Sequence, residues 1–534
     1  MNANRKILLG LTAAIASTGA AQAADLPSRK AEPVEYVKVC DAYGSGFFYI
    51  PGTDTCLKIG GAVVGEYRTY TTSYRMSRNI EGQAVSFGAA GAVPSVTSYA
   101  NPRSGDNTGY AATGRIELDA RTGTGFGVLR TFLRVESYYG SDSSTATGSF
   151  SGGSGNVFSN AGTFRNNARE TTILNKAFIQ FAGLTAGRVQ SFFDFYVDNV
   201  NWEALRGSNA TVGALAYTYT FGNGFSGSLS LEDNVSRRGL IGSTVGNAAI
   251  LNAITGVAGA DAAFKGAGAP FVYNGQVDGA QIPEIVGNAR YDAGWGAAQV
   301  SAAAHQIRTS LYSSGAASTA YSFSPITQDD YGFAVQGGVQ INLDKTTPYF
   351  APGDKLWAQA VYARGAVGYL TGNNLSFEAA AVNANTFYGF GNGGTKASNG
   401  WSFNSYDCVW TALGHCDKSE GWAVSAALKH YWTPTISSGF YGSFLSLTNS
   451  NAAVAGVGNG VGALNVDEYR IGSNLVWTPV KNFDIGAEVM YLRDTYRNRP
   501  AGLAPDATLW AAGLPSWKSS NATVEGRLRV QRSF

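Results

Sequence analysis

Charged side chains occupy alternate positions along one short segment of the sequence, and apolar side chains occupy the positions between them. The charged set is Arg115, Glu117, Asp119 and Arg121, and the apolar set is Ile116, Leu118 and Ala120. Because successive side chains of an extended strand point to opposite faces, all four charges would share one face. Four charges cannot be buried in a dry core without a large desolvation penalty, but they can line water. The segment is therefore predicted to form a strand with one wet face and one apolar face.

Three further segments carry polar residues with the same period of two. Their polar positions are Arg130, Arg134 and Glu136 in 126–138, Asp484 and Glu488 in 482–493, and Glu525, Arg527, Arg529 and Gln531 in 523–534. Several strands that are this polar on one face favour an aqueous space enclosed by the strands. We therefore expect these side chains to line a water-filled channel.

The segment 191–211 mixes aromatic residues with acidic residues. The aromatic residues are Phe192, Phe193, Phe195, Tyr196 and Trp202, and the acidic residues are Asp194, Asp198 and Glu203. An exposed loop would seldom carry so many aromatic side chains, so we expect this loop to fold inward and narrow the channel. Its carboxylates would form an acidic rim opposite the wall arginines Arg115, Arg130 and Arg134, and this field would favour cations slightly. The alternative is an aromatic loop at a subunit contact.

Residues that commonly support catalysis are scarce and scattered. The three histidines, His305, His415 and His430, belong to no HExxH motif and to no recognisable catalytic triad, and the sequence contains no P-loop. Carboxylate pairs are frequent, but a solvated channel lining explains them. The sequence therefore predicts no enzyme and no cofactor.

The four cysteines form two local pairs in the sequence. Cys40 and Cys56 flank a short segment near the N-terminus, and Cys408 and Cys416 lie eight residues apart. Local pairing would close two short loops with disulfides. It is the simplest of the three possible disulfide connectivities, although the sequence leaves the other two open. A metal site is the weaker alternative, because there is no CxxC motif and His415 is the only nearby histidine.

The composition supports β-structure rich in glycine and aromatic residues. The chain has 534 residues with 68 glycines, 12% aromatic residues and only 14% charged residues, against about 25% charged residues in average soluble proteins. These values argue against a helical enzyme, a disordered chain and a dense disulfide scaffold. No run of 18 or more apolar residues follows residue 23, so no transmembrane helix is expected.

Alternating patterns predict sixteen strands. The predicted segments are 57–69, 113–121, 126–138, 171–181, 184–190, 213–221, 225–232, 284–292, 295–307, 331–343, 355–365, 421–432, 436–447, 467–478, 482–493 and 523–534. The gaps after even-numbered segments are short, except for a moderate gap at 344–354, and those after odd-numbered segments are long. This pattern places all turns at one end and all loops at the other. This asymmetry predicts an all-β fold, a transmembrane antiparallel barrel of sixteen strands with short periplasmic turns and long extracellular loops. The alternative is a soluble tandem of β-sandwiches.

The N-terminus has the pattern of a secretory signal peptide. Arg5 and Lys6 precede a short apolar stretch, and Ala21-Gln-Ala23 is a small-x-small cleavage site. We expect residues 1–23 to be the signal peptide, 24–56 a periplasmic segment and 57–534 the barrel. Removal of Arg5 and Lys6 from 39 basic residues leaves 37, which equals the 37 acidic residues. A mature chain without net charge is not expected to bind nucleic acid.

Four sequence blocks resemble the alphaproteobacterial porin family of rhizobial and Brucella type. The blocks are VEYVKVCDAYGSGFFYIPGTDTCLK at 34–58, APGDKLW at 351–357, WTPVK at 477–481 and VQRSF at 530–534. The terminal Phe534 resembles the assembly signal that the barrel-assembly machinery of Gram-negative bacteria reads. The resemblance implies a sixteen-stranded homotrimer in the cell outer membrane, with its third loop at the constriction. Loops at 233–283 and 366–420 are longer than in compact members.

These observations predict a passive channel for small hydrophilic solutes and ions, weakly selective for cations and surrounded by outer-membrane lipids. Two alternatives stay open: a substrate-specific nutrient channel, which aromatic residues in a lumen-facing row would favour, and a surface adhesin that uses the long loops. A barrel enzyme would need a nucleophile, histidine and acid arrangement, which the three scattered histidines do not provide.

Overall fold

The computed structural model describes the strands, the turns and the inner parts of several loops. The described residues are 38–70, 84–86, 95–97, 108–140, 169–234, 237–243, 274–277, 281–311, 326–371, 406–410, 416–451, 454, 465–498 and 520–534. The predicted signal peptide, residues 1–23, and His415 lie outside them. Long strands dominate this part of the chain, as the alternating sequence pattern predicted.

Sixteen antiparallel strands form the barrel wall. They are β1 (Thr55–Tyr70), β2 (Thr108–Thr124), β3 (Gly127–Gly140), β4 (Arg169–Phe181), β5 (Leu184–Gln190), β6 (Thr211–Gly222), β7 (Phe225–Glu232), β8 (Glu284–Ala293), β9 (Gly296–Leu311), β10 (Ile326–Asn342), β11 (Lys355–Arg364), β12 (Glu420–Thr433), β13 (Ile436–Thr448), β14 (Val466–Val480), β15 (Phe483–Tyr496) and β16 (Ser520–Ser533). Each strand pairs with the next one, and all sixteen predicted segments are confirmed.

The first and last strands close the barrel. β1 pairs antiparallel with β16 over a register that runs from Ala62 opposite Ser533 to Tyr70 opposite Glu525. Beyond this ladder, the backbone of Gly61 exchanges hydrogen bonds of 3.2 and 3.0 Å with the backbone of Phe534. Closure leaves no free strand edge in the wall, which is the condition for a β-structure to cross a bilayer.

The two faces of strands such as β9 and β14 differ in polarity, as the alternating pattern predicted. On the outer face, Val300 is 65% exposed and Ile471 is 64% exposed, whereas Gln299 and Arg470 beside them point inward and are buried. Exposed apolar residues of this kind suit a hydrocarbon environment, and the inward polar residues are shielded from it. The alternation therefore separates a lipid-facing surface from the lumen.

Tight turns close one end of the barrel. Asn223 has a positive φ of 51° between the glycines of the β6–β7 turn, and Ala182 and Asn482 adopt the same conformation in their turns. β5 and β7 have the predicted bounds, but β10 starts at Ile326 rather than at 331. The hydrogen-bonded ladder of β10 extends beyond the alternating segment because backbone pairing does not require alternating side chains.

Short strands and helical turns lie at the ends of the barrel. Among the described residues, Phe48–Tyr49 pairs with β1, Ala84–Ser86 pairs with Ser95–Thr97, and Leu240–Ser243 pairs with both Asn274–Val277 and Tyr406–Trp410. Cys416–Lys418 also pairs with Tyr406–Trp410. The helical turns whose residues are all described are Asp41–Tyr43, Leu343–Thr346 and Gly368–Thr371. None of the described helices has the length and hydropathy needed to cross a bilayer.

Two disulfides join the cysteines that are neighbours in the sequence. One links Cys40 to Cys56 and the other links Cys408 to Cys416. The first holds the segment 38–54 against β1, where the Phe47 ring lies 4.9 Å from the Arg121 guanidinium carbon. The N-terminal segment therefore packs at the turn end of the barrel.

Substitution of Val300 by Arg tests the lipid-facing surface. We expect Val300→Arg to lower the free energy of unfolding in lipid vesicles by about 2–4 kcal/mol, because a guanidinium in hydrocarbon loses its hydration. Val300→Ala is the control, since it keeps the outer face apolar. Urea titration followed by tryptophan fluorescence measures both, and equal unfolding midpoints for the two variants would contradict the assigned facing.

Candidate functional site in the barrel lumen

The loop between β5 and β6, residues 191–210, lies inside the barrel, as predicted. We call it the inner loop. Its Phe193 side chain is fully buried, with its ring centre 4.6 Å from that of Tyr369. Tyr196 is also buried and lies 5.9 Å from the Trp357 ring, which points inward from β11. The aromatic residues that identified this loop therefore anchor it to the wall.

Polar side chains of the wall hold the backbone of the inner loop. Gln336 of β10 donates a 2.9 Å hydrogen bond to the Phe193 carbonyl. Gln359 of β11 accepts one of 2.9 Å from the Tyr196 N–H, and Asn474 of β14 donates one of 2.7 Å to the Val200 carbonyl. These bonds satisfy backbone groups that would otherwise be buried without partners.

Two buried carboxylates fix the far half of the inner loop. The Glu488 carboxylate accepts hydrogen bonds of 2.7 and 2.9 Å from the N–H groups of Trp202 and Glu203. Glu468 binds the Arg206 guanidinium through two bonds of 2.7 and 2.6 Å, and neither side chain is exposed. A buried charge without its partner is strongly destabilising, so these contacts favour one position of the loop.

Asp194 and Glu203, two of the predicted rim acids, are buried and bound to the protein. Asp194 accepts 2.7 Å bonds from Gln190 and from the Ala210 N–H, and it pairs with Arg237 at 3.1 Å. Glu203 forms an ion pair with Arg527 of β16. Both carboxylates hold the inner loop in place and are shielded from the open lumen.

Asp198 organises the inner loop from within. Its carboxylate accepts hydrogen bonds from the Asn201 amide at 2.7 Å, the Asn209 amide at 2.8 Å and the Leu205 N–H at 3.2 Å. Its backbone has a positive φ of 56°, a conformation that aspartate tolerates better than most residues. Desolvation raises the pKa of the Asp198 carboxyl above its ordinary value.

The predicted wall arginines lie together on β2 and β3. Arg115 binds Glu136 at 2.7 Å, Arg130 binds Asp119 at 3.0 Å, and Arg134 binds Glu117 at 2.7 Å. These arginine side chains are between 18% and 29% exposed. The structure brings these three residues into one row and leaves them partly accessible to the lumen.

The inner loop and the arginine row lie on opposite sides of the lumen. The hydrogen bonds of the loop to wall side chains fall on β5 and on strands from β7 to β16, and its middle lies against β11. Because β3 and β11 are eight strands apart in a closed barrel of sixteen strands, they face each other. The open lumen therefore runs along β2 to β4.

Two other loops, which the sequence pattern did not indicate, also fold into the lumen beside the inner loop. Val367, Tyr369 and Leu370 follow β11 and are fully buried. The Leu370 carbonyl accepts a 2.9 Å hydrogen bond from Gly207, and the Arg237 guanidinium carbon lies 4.2 Å from the centre of the Tyr369 ring. The only available signal was the apolar run Ala366-Val-Gly-Tyr-Leu370, which interrupts a polar loop.

A buried histidine joins these loops to the wall. His305 of β9 binds the Glu284 carboxylate at 2.6 Å, and its other ring nitrogen lies 3.5 Å from the Asp407 carboxylate. Glu284 also accepts a 2.9 Å bond from the Tyr369 hydroxyl, and Asp407 accepts one of 2.7 Å from the Val367 N–H. His305 occupies a strand position, as predicted, and these contacts are structural.

A closed sixteen-strand barrel with a lipid-facing surface, a charged lumen and an inward third loop defines the class of outer-membrane β-barrel channels. The family model described as the porin subfamily, Porin_2, matches residues 25–513. The chain belongs to this porin family, as the resemblance predicted, and is a protein of the Gram-negative outer membrane.

Curated relatives include the porin Omp2b of two Brucella species. The protein of Brucella canis is 28% identical over 299 residues, which is 55% of this chain and 63% of that protein. The protein of Brucella suis is 30% identical over 302 residues, 55% of this chain and 64% of that protein. The chain thus matches less than two thirds of the length of these relatives.

Solved barrels are also similar to this chain. The outer-membrane channel DcaP of Acinetobacter baumannii aligns with a TM-score of 0.49 and 14% identity, over 91% of this chain and 99% of that chain. An anion-selective porin from Comamonas acidovorans aligns with a TM-score of 0.40 and 11% identity, over 90% of this chain and 100% of that chain.

Removal of the Glu488 carboxylate tests the anchoring of the inner loop. We expect Glu488→Gln to increase single-channel conductance and current noise in planar bilayers, because the amide nitrogen cannot accept the Trp202 or Glu203 N–H. Asp484→Asn is the control. Asp484 lies on the same face of β15, and among the described residues its carboxylate accepts a hydrogen bond from Thr478 and does not bond the inner loop. Identical current traces for both variants would show that Glu488 does not fix the loop.

Proposed function

We propose that the protein forms a passive, water-filled channel that lets small hydrophilic solutes and ions cross the outer membrane. The observation that carries the proposal is the partly exposed arginine row of β2 and β3, which faces an anchored loop across the lumen. Charged side chains at membrane depth are stable when water reaches them. Membership of the porin family supports the same function.

The inner loop is proposed to set the size limit of the channel. Its backbone is bonded to strands along the far side of the barrel, so it narrows the lumen without needing to move. Planar-bilayer recordings of the purified chain test this function. A steady conductance proportional to voltage supports it, and an electrically silent protein contradicts it.

The source of ion preference is a separate proposal. The sequence predicted a weak cation preference carried by Asp194, Asp198 and Glu203. The contacts of these carboxylates point to a structural role, whereas Arg130 and Arg134 are partly exposed. We infer that the arginine row dominates the field in the open lumen, because its ion-paired arginines keep part of their surface exposed to permeating ions, whereas the ion pairs of Asp194 and Glu203 are buried.

Reversal potentials in a KCl gradient distinguish the two sources. The variant with Arg115, Arg130 and Arg134 all changed to Gln is expected to shift the reversal potential towards cation preference, because it removes three positive charges from the lumen surface. The variant with Asp194, Asp198 and Glu203 changed to Asn, Asn and Gln is the matched comparison, because it removes three negative charges. A larger shift from the second variant, towards anion preference, would instead support the predicted acidic rim.

A homotrimer and recognition of Phe534 by the barrel-assembly machinery are further proposals. The resemblance to trimeric porins supports the first. The second is supported by the terminal residue itself, whose backbone completes the β1–β16 junction through Gly61. Native mass spectrometry in detergent tests the oligomer, and the membrane yield of a chain lacking Phe534 tests the signal.

A further inference from the structure

A pair of phenylalanines interrupts the charged surface of the open lumen. Phe132 of β3 and Phe178 of β4 are direct cross-strand partners. Their rings lie 5.3 Å apart with an interplanar angle of 25°. Phe132 is half-buried, so part of its ring reaches the lumen. A pair of aromatic side chains is unusual on a surface that otherwise carries arginines and carboxylates.

Cationic side chains border the phenylalanine pair on both sides along the barrel axis. Arg121 and Arg130 are cross-strand partners one step towards the turn end, and Arg134 and Lys176 are partners one step towards the loop end. Each step spans two residues, about 6.7 Å along a strand. We call these six residues, Arg121, Arg130, Phe132, Arg134, Lys176 and Phe178, the Arg–Phe wall.

The arginines contact the rings directly. The Arg130 guanidinium carbon lies 5.3 Å from the centre of the Phe132 ring and 5.5 Å from that of Phe178, and Arg134 lies 5.9 Å from the Phe132 ring. Arg130 is held there by Asp119 and by a 3.1 Å bond to Gln180. Stacked and bonded arginines are preorganised, so a ligand would order them at little entropic cost.

The Arg–Phe wall also has a hydrogen-bond donor and an excess of positive charge for binding an anion. The Arg134 Nε–H is buried and has no hydrogen-bond partner among the described protein atoms. The four cations of the Arg–Phe wall and Arg115 outnumber the carboxylates around them, which are Glu117, Asp119 and Glu136 on β2 and β3 and Asp194 of the inner loop. An acceptor from the lumen reaches the partly exposed guanidinium group of Arg134, and a shift of that side chain would also satisfy the buried Nε–H.

We propose that the Arg–Phe wall is a binding site for small aromatic carboxylates that pass through the channel. This inference rests on the proposed channel function and names its preferred class of solute. The ring of the solute stacks on Phe132, and its carboxylate binds the guanidinium groups of Arg130 or Arg134. Aromatic stacking and charge-assisted hydrogen bonds act together only for a solute that carries both groups.

Each of the simpler solutes uses only part of this surface. Acetate reaches the guanidinium groups but has no ring to place on Phe132, and benzyl alcohol has the ring without the negative charge. The site lies along an open lumen and stays partly exposed, so binding is weak enough to release the solute. This combination favours passage, because a selective channel must bind its solute and also let it leave.

Ligand titrations of the detergent-solubilised full chain, followed by saturation-transfer NMR, test the site independently of conduction. We expect benzoate to bind more tightly than acetate and benzyl alcohol. Phe132→Leu keeps the apolar volume but removes the ring, and it should weaken benzoate binding by about three- to tenfold. Arg134→Gln should weaken the binding of both benzoate and acetate. Phe126→Leu, in the exposed β2–β3 turn, is the control and should bind benzoate like the unmodified chain.

Planar-bilayer recordings separate this inference from the proposed function. Saturable reduction of the KCl current by benzoate, weaker in Phe132→Leu than in Phe126→Leu, supports a site within the conducting path. Benzoate binding equal to that of acetate, or unchanged by Phe132→Leu, overturns the aromatic site even if the channel conducts. An electrically silent protein that still binds benzoate through Phe132 would overturn the channel function and leave the site standing.

Discussion

The hydrogen-bonded junction between β1 and β16 is the contact on which the rest of the structure depends. Within hydrocarbon, an unpaired backbone N–H or C=O has no water to bind, so an open sheet edge is not stable. Pairing from Ala62 to Tyr70, with the added bonds between Gly61 and Phe534, removes that edge. Once the wall is closed, the alternation of side chains becomes a separation of two media, with lipid outside and a polar lumen inside.

That separation explains why polar and charged wall residues, and not aromatic contacts alone, position the inner loop. Residues that point inward must be polar enough to accept water where the lumen is open, and the same positions bond the loop where it covers them. Glu488 and Glu468 show both requirements, since they follow the lumen-facing pattern of their strands yet bind loop N–H groups and Arg206. Buried charge pairs of this kind specify one geometry more than they add stability.

The lumen is asymmetric because three loops fill one side of it. Phe193 and Tyr369 meet from different loops, and Arg237 covers the Tyr369 ring from a third. The arginine row of β2 and β3 remains partly accessible on the other side. The charged residues that face the open lumen are therefore mainly those of the barrel wall, whereas the carboxylates of the inner loop hold that loop in place.

The alternating sequence determined the sixteen strands, their facing and the two ends of the barrel, because each of these follows from local periodicity and from turn residues such as Asn223. It also identified the inner loop through its aromatic residues. Only the tertiary structure decided the partners of Asp194 and Glu203, which are Arg237 and Arg527, residues distant in sequence. Such pairings depend on where the closed barrel brings strands and loops together. A period of two assigns a side chain to a face but does not tell which part of that face stays open to water.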